Sequence, residues 1–280
     1  FAGLVSLLIG SEEIQEGNVA VIPIRGMILT EDGGDLFYSG AAVSRIIVND
    51  IEKAASDSRI EAILLEINSP GGAPVATDEI ATAVERANKT VVALIREVGA
   101  SGAYWVASAS DYVIANRMSI TGSIGVYGSY LDFSGFINDW NISYERLVAG
   151  DRKDLGVPLR KLSEDEKKVL QKKLNLMHQV FKDEVQKNRE LTNSQIENVG
   201  QGEFYLGSEA LNLGLIDELG GKQEAISYIE NKLNITVDLV SYERKQSFID
   251  LLAGLLNEKN FYLGKGIGEG MQGNNVGMLR

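Results

Sequence analysis

A chain of 280 residues, 44% of them apolar, is long enough for one large α/β domain or for one domain with appendages. Its formal charge of -12 repels phosphate backbones and anionic headgroups, so no nucleic-acid partner is expected, and neutral, apolar or basic partners are easier to accommodate. The chain has no cysteine and His178 is its only histidine, which removes thiol nucleophiles, disulfides and Cys- or His-rich metal sites; no metal and no cofactor are expected.

Residues 1–10 are too short to cross a bilayer, which takes about 20 apolar residues. They read either as the exit end of a membrane span or as a disordered or locally packed terminus. The spacing then predicts a first core strand at 19–24 (VAVIPI), a loop over 26–38, and a helix over 41–55 carrying Val43, Ile46, Ile47 and Ile51 on one face. The run IEAILLEI at 60–67 is nearly continuous apolar sequence, as expected of a strand covered on both faces. It runs into Asn68-Ser-Pro-Gly-Gly72, a turn signal, and a helix over 73–87. A second unit follows the same plan. Strand 90–95 (TVVALI) leads to a Gly-Ala-Ser-Gly turn around Ser101, a helix over 102–108 and a short strand at 112–115.

Residues 118–130 form a second small-residue segment, with Ser123 after Gly122. A strand is expected at 142–147, then a polar loop over 148–159 carrying Arg152, Lys153 and Asp154. The long charged helix over 163–190 should be capped by Ser163 with Glu166, and its apolar residues Leu170, Leu174, Met177 and Phe181 put His178 at the border of the buried stripe. A short helix ended by Gly214, a helix at 222–233 and a strand at 236–241 come next. Residues 246–256 predict an amphipathic helix that packs on the core, on a partner or on a membrane surface, followed by a glycine-rich tail. The expected organisation is an N-terminal segment at 1–18, a main domain at 19–242, the amphipathic helix within 243–263 and the tail at 264–280.

Two strand, glycine-turn and helix units place Gly71-Gly72 and Ser101-Gly102 at equivalent ends of neighbouring strands, where ligands of open α/β sheets bind. The Ser101 turn reads as a nucleophile site or as a tight turn whose glycines only satisfy packing. Gly71 and Gly72 have no side chain to block a backbone N–H, so either can donate to an oxyanion. Ser69 precedes a proline and reads as shaping the turn. A serine needs a base. His178 sits on a helix where histidine is most often structural, which leaves carboxylates and lysines. A lysine serves when its pKa is brought to roughly 7–8. Lys167, Lys168, Lys172 and Lys173 form a solvated helix face. Lys153 stands apart in its loop, one candidate among several.

INSPGG at 67–72, GASGAYWVASASD at 99–111, ITGSIGV at 120–126, GDRKDLG at 150–156 and LGLIDELGG at 213–221 occur in an order that resembles the signal peptide peptidase A family in its short, single-domain form. The resemblance covers residues 19–240. It implies an α/β fold of the ClpP/crotonase type, with a repeated β-β-α core and helical appendages, and a Ser-Lys dyad: Ser101 as nucleophile, Lys153 as base, Ser123 orienting Lys153, and Gly71 or Gly72 as oxyanion donor. It also implies a homo-oligomeric ring or dome, an N-terminal membrane anchor with the catalytic domain outside the cytoplasm, and apolar peptides, remnant signal peptides, as substrates. Ala103 departs from the second glycine many relatives carry there. The competing readings are a crotonase-like acyl-CoA hydratase or isomerase and a catalytically silent membrane-associated scaffold.

Overall fold

The computed structural model describes residues 17–31 and 40–242, so the expected terminal segment at 1–10, the helix at 246–256 and the tail lie outside the described residues. In chain order the elements are β1 (Val19–Arg25), β2 (Ile28–Leu29), β3 (Ala42–Val43), α1 (Ser44–Ser56), β4 (Ala62–Ser69), α2 (Pro74–Arg86), β5 (Thr90–Ala100), α3 (Gly102–Ser108) and β6 (Tyr112–Ala115). There follow β7 (Ile120–Gly122), α4 (Ser134–Asp139), α5 (Glu164–Asn188), α6 (Asn193–Val199), β8 (Phe204–Leu206), α7 (Gly207–Asn212), β9 (Glu218–Leu219), α8 (Lys222–Leu233) and β10 (Leu239–Ser241).

Among the described residues the main sheet runs β10-β1-β4-β5-β6-β9 and is parallel throughout, with the short β7 beside the end of β5 and β8 antiparallel to β7. Parallel neighbours require crossovers, and α1, α2 and α3 supply them. The apolar run of β4 is explained by burial on both faces. Ile63, Leu65 and Ile67 join the larger core with Ile47, Ile51 and Ile80. Ala62 and Leu64 face a smaller core closed by Ala225 and Ile229 of α8. Trp105 of α3 stacks on Phe181 of α5 with ring centroids 5.2 Å apart, which ties the helix after Ser101 to the long helix.

Three expectations change. β5 does not stop at residue 95 but continues to Ala100, because β7 pairs with its second half, Val98 to Ala100, after β6 has paired with Val92 to Ile95. No strand forms at 142–147. A strand needs a neighbour for its backbone groups, and this segment runs along the surface with Ile142 and Leu147 exposed. In α5 the expected stripe is covered unevenly: Phe181 is buried, Leu170 and Leu174 are half-buried and Met177 is open, as are Leu176 and Val180 beside the stripe. Among the described residues no helix is long and apolar enough to cross a membrane.

Candidate active site

β4 and β5 are parallel neighbours, and both run into glycine turns at the same edge of the sheet. In the first turn Ser69 is fully buried and its Oγ accepts a hydrogen bond from the Gly71 N–H at 3.1 Å. The Ile28 N–H donates to the Gly71 carbonyl at 2.9 Å, and the Ala73 N–H donates to the Ile28 carbonyl at 2.8 Å. This is a parallel bridge between Ile28 and Gly72 that uses the groups on either side of Gly72. The Gly72 N–H is thereby left without an acceptor among the described residues, on an exposed residue, whereas the Gly71 N–H is occupied.

β5 delivers Ser101 in a backbone conformation that side-chain-bearing residues avoid, with φ 53° and ψ -129°. Its N–H donates to the Gly122 carbonyl at 2.8 Å, and its own carbonyl starts α3 by accepting from Tyr104 and Trp105 N–H groups at 2.8 and 3.1 Å. Although Ser101 is the N-cap of α3, its hydroxyl makes no capping hydrogen bond. The Gly102 N–H, in the first turn, has no intrahelical acceptor. The two turns touch. A β carbon on Gly71 would lie 2.7 Å from the Gly102 nitrogen and 3.0 Å from Ser101 Cβ, and one on Gly102 would lie 3.4 Å from the Gly72 nitrogen. It would also run into Thr77 Oγ1, the hydroxyl of a fully buried residue of α2 that has no hydrogen-bond partner among the described residues.

Ser123 stands beside Ser101 through strand register. Ala100 pairs with Gly122, so the next residue on each strand leaves the sheet at the same level. Ser123 shares a φ of 53° and donates its N–H to the Glu203 carbonyl at 2.8 Å. His178, half-buried on α5, has Nε2 3.1 Å from the carbonyl of Ile124, the residue after Ser123, so the only histidine of the chain braces this segment.

Lys153 lies on an exposed turn, where its N–H donates to the Gly150 carbonyl at 3.0 Å. No hydrogen bond joins its amine to Ser101 or Ser123 within the chain. Its neighbour Asp154 is buried between two arginines, which hold its carboxyl well below the usual carboxylate range, Arg146 first and Arg160 second. Arg160 also donates twice to Glu166. Those bonds and the Ser163 N–H draw the Glu166 carboxyl down to about 2 from 4.5. A depressed folded-state value means that the stabilisation is complete above about pH 4.5 and is lost as pH falls towards about 2. Pepsin digestion of the Ser101→Ala variant should therefore cut within residues 146–166 at a rate that climbs across that window. A flat profile there excludes this carboxylate as the acid-labile tie.

The sequence pattern placed Gly71-Gly72 and Ser101-Gly102 at one edge and the family resemblance added Ser123, but neither pointed to Thr77, Arg146 or Arg160. Thr77 is a hydroxyl on the apolar face formed by Ala76, Ile80 and Val84, a signal that was open to periodicity. Arg146 and Arg160 flank the Lys153 turn without any period to mark them.

A family model described as peptidase family S49 matches residues 83–236, which include Ser101, Ser123 and Lys153. A Methanocaldococcus jannaschii chain assigned as a protease is 32% identical over 86% of this chain and 78% of its own length. An Enterococcus faecium chain assigned as a signal peptide peptidase SppA is 26% identical over 92% of this chain and 78% of its own. The chloroplastic serine protease SPPA of Arabidopsis thaliana is 29% identical over 85% of this chain but only 36% of its own length. The fold expected from the sequence motifs, ClpP/crotonase-like α/β, is that of the matched family. With the match extending over more than half of the chain, this protein belongs to peptidase family S49.

Proposed function

We propose that the chain is a serine endopeptidase with a Ser101-Lys153 dyad that cuts extended apolar peptides, remnant signal peptides among them. The observation that carries the reading is Ser101 itself. It is a serine in a strained strand-to-helix turn, its hydroxyl uncommitted, beside two backbone N–H groups that have no acceptor among the described residues. Ser101 Oγ attacks the peptide carbonyl while Lys153, as the free amine, takes the hydroxyl proton. The carbonyl oxygen gains the negative charge and receives hydrogen bonds from the Gly72 and Gly102 N–H groups. Collapse of this adduct breaks the C–N bond, and the leaving amine takes the proton from Lys153. Water then attacks the acyl-serine, gives a proton to the amine, and the serine is restored when that proton returns to Oγ. Ser123 orients Lys153.

The chemistry requires Lys153 Nζ within hydrogen-bond reach of Ser101 Oγ, supplied by the same chain or by a neighbouring copy. Several copies in a ring or dome are supported by the apolar side chains that the single chain leaves open, Tyr127 at 90%, Leu147 at 95% and Trp140 at 68% exposure. A membrane anchor ahead of residue 17 and a domain outside the cytoplasm complete the proposal.

Ser101→Ala and Lys153→Ala should each fold and each fail to cleave an apolar peptide, and only Ser101→Ala should lose labelling by a serine-reactive fluorophosphonate altogether. Cleavage retained by either variant removes its residue from the dyad. Mixing the two inactive variants restores activity if the dyad is shared between copies and leaves the mixture inactive if it is built within one chain.

A further inference from the structure

The turns over residues 150–156 carry one side chain withdrawn from solvent: Asp154 is 8% exposed, while Asp151, Arg152 and Lys153 are open. A carboxylate taken out of water needs partners. Arg146 meets it with both teeth of its fork, Nε donating to one oxygen at 2.7 Å and Nη2 to the other at 2.8 Å, and Arg160 Nε donates to the first oxygen at 2.7 Å. The same guanidiniums hold the backbone at both ends of the turn. Arg146 Nη2 donates to the Asp151 carbonyl at 2.8 Å, and Arg160 Nη2 donates to the Asp154 carbonyl at 3.3 Å.

The tie continues into the body of the protein. Arg160 donates to Glu166 at 2.9 and 2.6 Å, and Glu166 closes the capping box of α5 by accepting from the Ser163 N–H at 2.9 Å. The far half of α5 is packed in the core through Phe181 and Val185. A continuous set of charge-assisted hydrogen bonds thus anchors a surface turn to the start of α5, a helix whose far end is packed in the core. On that turn the Lys153 amine is uncommitted, as are the exposed side chains of Asp151 and Arg152. Its side chain has no hydrogen bond or ion pair among the described residues, a state it shares with Lys172 and Lys173 but not with Lys167, Lys168, Lys182 and Lys187, which are each paired with a carboxylate. A network this dense is not needed to keep an exposed turn folded; it makes sense where the direction of the lysine amine carried on that turn matters.

The geometry points to Asp154 as the positioning residue for Lys153: clamped by Arg146 and Arg160, it fixes the turn at residues 151 and 154 and so presents the lysine amine in one direction. Asp154 does not touch the reacting atoms. The inference rests on the proposed role of Lys153 as base and adds the device that makes a flexible side chain an effective one.

The test is a double-mutant cycle on the full chain, read by cleavage of an apolar peptide and by the rate of fluorophosphonate labelling of Ser101. Asp154→Asn should lower kcat and the labelling rate by about 10- to 100-fold with KM within about twofold, because a misplaced base costs the chemical step and not peptide binding. In the Lys153→Ala background the same substitution should change the labelling rate by less than about twofold, since there is no amine left to position. An equal loss in both backgrounds overturns the inference and makes Asp154 a structural residue. Full activity of Asp154→Asn beside an inactive Lys153→Ala also overturns it and leaves the dyad standing. Cleavage by Lys153→Ala sinks the dyad itself. If Asp154→Asn does not fold, Arg146→Gln decides: it releases the Asp151 carbonyl but leaves Arg160 on Asp154, and a kcat loss in the same direction is required.

Discussion

Ser101→Gly is expected to destroy peptide cleavage and at the same time to make the protein more stable. A φ of 53° with ψ of -129° is a conformation that glycine adopts freely and that a β carbon makes costly, about 1–3 kcal/mol for a residue held in such a region. The surroundings impose it. The Ser101 N–H is held by the Gly122 carbonyl on one side, and its carbonyl is held by two N–H groups of α3 on the other. Removing the β carbon releases the strain, while glycine adds about 0.4–1 kcal/mol of unfolded-chain entropy, so the net gain should be about 0.5–2 kcal/mol in urea denaturation. Ser101→Ala keeps the β carbon and should not share that gain. Loss of the hydroxyl should lower kcat by on the order of 10⁴–10⁶ in both variants. A glycine variant no more stable than the alanine variant would show that the turn is not strained, and residual cleavage in either would remove Ser101 from the chemistry.

The second large effect is expected at Gly72. A β carbon there would run into the carbonyl oxygen of Ile28 and lie 2.6 Å from its nitrogen, and both are backbone atoms held in a bridge to this turn. Backbone cannot swing aside as a side chain does, so Gly72→Ala must displace the turn and re-aim its N–H. Loss of one oxyanion donor should cost about 10²–10³ in kcat, with about 1–3 kcal/mol of overpacking as the stability cost. Gly71→Ala should be at least as harmful to stability, since its φ is +96° and its β carbon would lie 2.7 Å from the Gly102 nitrogen. Gly135→Ala, in open space, is the control and should keep full activity. A Gly72→Ala enzyme with unchanged kcat would take Gly72 out of the oxyanion site and leave the Gly102 N–H as the remaining donor.

These two variants mark the boundary between what was legible in the chain and what was not. Continuous apolar runs such as residues 60–67 report a doubly covered strand because burial on both faces leaves no polar positions. The glycine turns after them report the sheet edge where a site forms. The strand expected at 142–147 fails on the same physics: an apolar, β-prone segment becomes a strand only if a neighbour takes its backbone groups, and propensity does not reveal whether one is present. The exposure of Met177 on the α5 stripe is equally hidden, because a 3.6-residue period shows that a face is apolar and not what covers it.

The sequence by itself determined the parallel α/β architecture, the pairing of the two glycine turns and the candidacy of Ser101, since each depends on local composition and on the order of motifs. Only the tertiary structure decided that the Gly71 N–H is taken by Ser69 while that of Gly72 is free, that Ser101 and Ser123 leave adjacent strands side by side, and that Asp154 lies buried between Arg146 and Arg160. The reason is that a hydrogen bond belongs to whichever partner the register and the crossing of distant segments bring within about 3 Å, and no periodicity within one segment encodes that distance.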